Sequence, residues 1–185
     1  MLLGAWLAGS LAMIAVATQN FRSVDRLLAA PSSSAVQQIE TLGPAPARAF
    51  LRYLVAEQNR FYFENWEKIQ LGLGILLLLT LLMSGSRPAA LVCLLMLAAV
   101  AIMHWLLTPQ IVELGRAIDF LPAGQASEQR IRFWDYHGAY SATELVKLGL
   151  GVLLAGMLLV GRRRSQGFGN KIKVVDHADH SHVDG

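Results

Sequence analysis

Four apolar runs, at residues 1–17, 71–83, 89–107 and 145–160, constrain this chain more than any other feature, because they carry almost no ionisable side chain. A helix needs about 20 apolar residues, within a range of about 17–25, to cross a bilayer core. The first and third runs reach that length. The second and fourth reach it when their flanking turns, 67–70 and 144–147, sit at the interface. Composition points the same way: 54% of the 185 residues are hydrophobic and only 16% are charged, against about a quarter charged in a soluble domain. That leaves too little polar surface to cover a globule. The reading is an all-α integral membrane protein with four transmembrane helices. A cleaved signal peptide is the other reading of the first run, since Ala15-Val16-Ala17 is a small-residue cleavage pattern. No Lys or Arg precedes Arg22, however, so the basic n-region is missing.

Prolines and turn residues divide the chain. The first helix continues past the apolar run to about Ala30 before Pro31-Ser-Ser-Ser stops it, and a loop follows through GPAPA at 43–47. The stretch from Ala47 to Arg87 is free of proline until its end, so one helix of about 38 residues, about 57 Å long, is expected there. Such a helix outruns the bilayer by about 25 Å and projects into water. SGSRP at 84–88 makes a tight turn, the third helix leaves the membrane through TPQIVELGRAI, LPAGQ at 121–125 turns the chain back, and a fourth helix re-enters. The tail 162–185 lacks a hydrophobic period and reads as disordered, basic first and then His/Asp-rich.

The returning helices repeat one phrase. EKIQLGLGILL at 67–77 and ELVKLGLGVLL at 144–154 share seven of eleven positions. The alignment sets His137 on Arg60, Tyr140 on Phe63, Ser141 on Glu64, Glu144 on Glu67 and Lys147 on Gln70. The domain is therefore read as residues 1–161, two tandem helical hairpins at about 1–86 and 87–161 related by an axis along the membrane normal. Helices 2 and 4, and the ends of 1 and 3, project beyond the bilayer. Arg162, Arg163 and Arg164 after the fourth helix mark a cytoplasmic anchor, which puts both termini inside a plasma membrane. The long connections also hold many Lys and Arg, but long loops obey that rule poorly.

One helical face gathers the chemistry. Arg60, Glu64, Glu67 and Gln70 on helix 2, with His137, Ser141, Glu144 and Lys147 on helix 4, follow helical spacing. A stripe this polar must face the bundle interior or water. It reads either as a vestibule or as interhelical ion pairs that snorkel to the boundary. Gly72, Gly74, Gly149 and Gly151 lie inside apolar helix, where small residues let backbones approach. His104 and His137 fall within about a turn of each other if helices 3 and 4 form a hairpin, so a bis-His haem or metal site is one alternative. His177, His180 and His182 in the tail suit weak divalent-metal binding. The buried-looking Cys93 has no partner for an intrachain disulfide. There is no phosphate loop, serine elbow, zinc-protease motif or cysteine pair, so no enzyme activity and no resident cofactor is read.

The segments AWLAGSLAMIAVATQNFRSVDRLL and RFWDYHGAYSATELVKLGLGVL resemble the small four-helix membrane proteins with a domain like that of transmembrane protein two-hundred-and-five. That resemblance implies a membrane bundle and assigns no catalytic residue. A more distant similarity to copper-resistance membrane proteins would use His104, His137, Met96 and Met103. Function is read first as a non-enzymatic scaffold or accessory subunit of a membrane assembly, its partners the lipid bilayer and other membrane proteins or a second copy, with no nucleic acid. The alternative is a small transport or ion-binding protein working through the stripe.

Overall fold

The computed structural model describes the backbone of residues 1–122, 125 and 127–179, and side chains among these up to Gly161 except that of Ser33. Among the described residues all regular structure is helical. The helices are α1 (Leu2–Ala29), α2 (Ser33–Leu42), α3 (Pro44–Met83), α4 (Arg87–Ile102), a π-turn (Met103–Leu107), α5 (Thr108–Ile118) and α6 (Glu128–Asp179).

Pro31 ends α1 as expected, forcing Ala30 out of the helical region to φ −140°. The next segment differs from the loop read there, because residues 33–42 form α2. Gly43, at φ +86°, then turns the chain. The prolines that suggested a loop instead start a helix. Pro44 and Pro46 occupy the first turn of α3, where backbone N–H groups have no intrahelical partner to lose. The result is 40 residues, about 60 Å of helix. Gly85, at φ +72°, makes the short connection to α4. The helix α6 also outlasts its apolar run, continuing through the basic cluster to Asp179, where the sequence reads as disordered. No proline stands in that stretch, and extending an existing helix avoids the cost of nucleation.

The interruption at residues 103–107 has a local cause. Pro109 has no N–H to give the Trp105 carbonyl, and its ring crowds that turn. The chain widens there, and the Thr108 N–H reaches the Met103 carbonyl five residues back. The helix otherwise runs on, so Arg87–Ile118 is one apolar-rich element.

The helix α1 packs along α3, α3 along α4, α4 and α5 along α6, and α1 meets α6 more briefly. Trp6, Cys93, Met96, Val100 and Leu154, none of them exposed, form the centre. Four helices are long and apolar enough to cross a membrane, yet only 17%, 28%, 39% and 22% of their apolar windows are buried inside the fold. The outward remainder, with Leu76, Leu79, Leu91, Leu94 and Leu153 all exposed, is far more apolar surface than water tolerates. The chain is a multi-pass membrane protein.

Candidate functional site

The stripe read from the sequence divides into two. Its inner half lies in the bundle centre. Glu67 and Gln70 on α3 are 0% exposed, and Lys147 and Glu144 on α6 are 1% and 8% exposed. None of them snorkels. The Lys147 Nζ donates to Glu144 Oε2 at 2.6 Å and also to Gln70 Oε1. Trp6 Nε1 from α1 donates to the same Gln70 oxygen at 2.8 Å. Glu67 faces the other way: Thr108 Oγ1 donates to Glu67 Oε1 at 2.6 Å, and His104 Nδ1 lies 2.9 Å from Glu67 Oε2. Tyr140, edge to face with Phe63, lines a cavity together with Glu144. One layer thus joins α3, α5, α6 and the π-turn through hydrogen bonds to charged groups, and α1 through the neutral bond from Trp6 to Gln70.

The outer half of the stripe is spread over cavity walls and a second cluster. Arg60 forks onto Asp119 at 2.9 and 3.0 Å and reaches Glu57 at 2.5 Å, while Arg116 binds Glu57 through two bonds of 2.9 Å. Glu64 lines a cavity of 660 Å³ between α3 and α5, with Lys68, His104 and Thr108 on the same walls. His137 stacks on Phe133 with ring centroids 5.7 Å apart, and Ser141 donates to the His137 carbonyl at 2.9 Å. His137, Ser141 and Glu144 line a second cavity, of 480 Å³, between α1 and α6. The two histidines of the haem or metal reading therefore line different cavities, His104 bound to Glu67. Among the described residues no group of three or more His, Cys, Asp or Glu is placed to hold a metal ion. The side chain of His177, and His180 and His182, lie outside the described residues.

The four glycines also separate. A Cβ on Gly74 would lie 2.4 Å from Leu97 and 2.8 Å from Trp6, and one on Gly151 would lie 2.5 Å from Leu7. Gly72 and Gly149, read as packing positions too, face open space instead. They point outward because two residues along a helix is a rotation of about 200°. Gly9 is a close-packing position that the sequence did not mark, with Trp66 seated on it.

Two contacts join residues that the repeat aligns. Gln70 and Lys147, 77 positions apart, bond directly. Phe63 and Tyr140 meet edge to face at 5.9 Å.

Several partners had no sequence signal. Trp6 and Thr108 sit in apolar or weakly polar helix, and nothing in α1 announces that its one indole reaches Gln70. The widened turn before Pro109 differs from the uninterrupted third helix read from the sequence, and no pattern announced what His104 would touch.

The outer cluster has a pH signature. The hydrogen bonds from Arg116, and then those from Arg60, hold the Glu57 carboxyl at about 2 against an ordinary 4.5. A depressed carboxylate contributes stability that is fully present above its unfolded value and is lost as pH falls through its folded one. Glu57→Gln is therefore expected to lower the thermal midpoint at neutral pH. The difference from wild type should shrink between about pH 4.5 and 2. Thermal unfolding in detergent across that window checks it, and a pH-independent difference contradicts the assignment.

No family model, curated protein or solved structure matches the chain.

Proposed function

We propose that this chain is a small membrane transport protein whose buried layer binds and exchanges protons. A single observation carries the reading: Glu67, with no exposed surface, is held by His104 and Thr108, and both of these line an open cavity. His104 and Thr108 give Glu67 a polar route to the first cavity, and Glu144, bonded to Lys147, lines the second. Burying charge at membrane depth costs several kcal/mol, and apolar side chains of similar volume would hold the helices at no such cost. That expense supports a working site over a mere fastener.

The layer has this form because the chain is two tandem hairpins, about 1–86 and 87–161. Their returning helices bring Glu67 and Glu144 to one depth. The termini lie on the cytoplasmic side of a plasma membrane, and the Arg60 cluster belongs to the projecting ends. Kinship with the four-helix proteins resembling transmembrane protein two-hundred-and-five belongs to the same proposal.

A second reading, as accessory subunit of an assembly, has its own support. Phe50, Leu54 and Phe61 share one exposed face of α3, away from the bundle, and aromatic faces are favoured at partner surfaces.

One assay separates the two. The full chain in proteoliposomes enclosing a pH-sensitive dye, under an imposed potassium diffusion potential, is expected to carry protons. Glu67→Gln and Glu144→Gln should each lower that flux by about tenfold or more, the range expected for a proton-transfer group. Wild-type flux no faster than that of empty vesicles would leave the subunit reading and sink the transport one.

A further inference from the structure

The contacts around the two buried glycines exchange under one rule. Gly74 of α3 is closed by Trp6 of α1 and Leu97 of α4, and Gly151 of α6 by Leu7 of α1 and Met96 of α4. Replace each returning-helix residue by its aligned counterpart, set Trp6 on Met96 and Leu7 on Leu97, and the two sets of contacts interchange. The same register sets Leu3, Trp6, Ser10 and Val24, the buried residues of α1, on Cys93, Met96, Val100 and Leu114, which are all buried as well. The outgoing helices therefore obey the repeat that their sequences barely show. The aligned pairs Gln70–Lys147 and Phe63–Tyr140 touch each other, and a residue that touches its own counterpart lies beside the axis.

Applied to the cavities, the rule has a functional consequence. Glu64, Lys68, His104 and Thr108 of the 660 Å³ cavity correspond to Ser141, Leu145, Ile14 and Thr18, and all four line the 480 Å³ cavity. These four positions are half of the first cavity's lining, and at them the chemistry is opposed. Where one cavity has an acid, an ammonium and an imidazole, the other has a hydroxyl, leucine and isoleucine. Phe21, Phe63, Phe133 and Tyr140 extend its walls. Ile14 and Leu145 are 43% and 68% exposed at its edge, within the apolar runs of α1 and α6, so its mouth opens sideways toward lipid. Its inner end reaches Tyr140 and Glu144.

We propose that this α1/α6 cavity binds a single-chain amphiphile drawn from the bilayer. Its hydrogen-bonding head sits against Tyr140, Ser141 and Glu144, and its chain leaves between Ile14 and Leu145. The volume, 480 Å³, suits one small ligand. The head is neutral, because the charged side chains on the walls are already matched, Glu144 by Lys147 at 2.6 Å and Arg60 by Asp119 at 2.9 Å; a group that both donates and accepts, a hydroxyl being the simplest, fits. The site is independent of proton exchange and requires only that the helices span a membrane.

A diazirine-bearing long-chain alcohol, photolysed with the full chain in phosphatidylcholine vesicles, tests it. Cross-links should concentrate at residues 14–21 and 133–145 and disappear with excess unlabelled alcohol. Leu145→Lys, which imports the charge of the counterpart Lys68, should cut labelling by about tenfold or more. Ala17→Trp, which fills the cavity, should do the same by bulk and serves if the lysine variant fails to fold. Labelling spread over outward residues such as Leu76, Leu91 and Leu153 without competition would mean surrounding lipid only and would overturn the site. Undiminished labelling in a folded variant would overturn it equally.

Discussion

Lys147→Met is expected to destabilise the bundle by about 3–5 kcal/mol, the usual consequence of leaving one member of a buried ion pair without its partner. The ammonium is 1% exposed and is the charged neighbour that bonds Glu144. Methionine fills a similar volume, so lost packing is a minor part of the effect. What remains is a carboxylate with no counter-charge and a Gln70 oxygen that keeps only the Trp6 indole. Removing both charges, as Lys147→Met with Glu144→Gln, should recover most of the loss, because two matched neutral groups cost little where a lone charge costs much. Lys68→Met is the control: Lys68 lies on a cavity wall and is exposed, so its loss should stay within about 0.5 kcal/mol. Reversible unfolding in mixed detergent micelles measures all three. A double variant no more stable than the single one would show that the pair is not the source of the effect.

The second large effect falls at a glycine. Gly74→Val is expected to cost about 1–3 kcal/mol through overpacking. The added Cβ would lie 2.4 Å from Leu97 and 2.8 Å from Trp6, and the indole is wholly buried and tied to Gln70, so it has nowhere to retreat. Separation of α1 from α3 would be felt by the polar layer, because Trp6 bridges the two. Gly72→Val, with nothing within 4 Å of its new Cβ, should change stability by no more than about 0.5 kcal/mol. The comparison uses the same substitution two residues apart on one helix, so β-branching cancels. Equal losses at the two positions would refute close packing at Gly74.

Legibility varied with the range of the interaction involved. The placing of Glu67 and Glu144 on one inward face followed from helical spacing and from the repeated phrase around them. Their burial did not. Counted from the ends of the apolar runs, both stand near an interface, where long side chains usually reach for water. Lys147 does the opposite, because Gln70 and Glu144 meet it inside the bundle. The outer acids and bases show the same limit. Arg60 was visible as a member of the stripe, but its partner Asp119 lies 59 positions away on the turn that ends α5, and no local pattern links the two. Prolines misled in one place and were passed over in another, where the sequence reads as an uninterrupted third helix. In GPAPA they mark the start of a helix and not a loop, since the first helical turn has no hydrogen bonds to lose. At Pro109 the same missing donor, deep inside a helix, widens the turn that carries His104.

By itself the sequence determined that this chain makes long helices and resides in a membrane. Both properties sum over neighbouring residues: backbone hydrogen bonds close within a turn, and apolar side chains partition into lipid wherever they lie along the helix. Only the tertiary structure decided which polar groups meet. Periodicity assigns a side chain to a face, but the identity of its partner depends on how far each helix is rotated and slid against the next. Those two quantities are set by the seating of Trp6 on Gly74, of Leu7 on Gly151, and by one widened turn before Pro109.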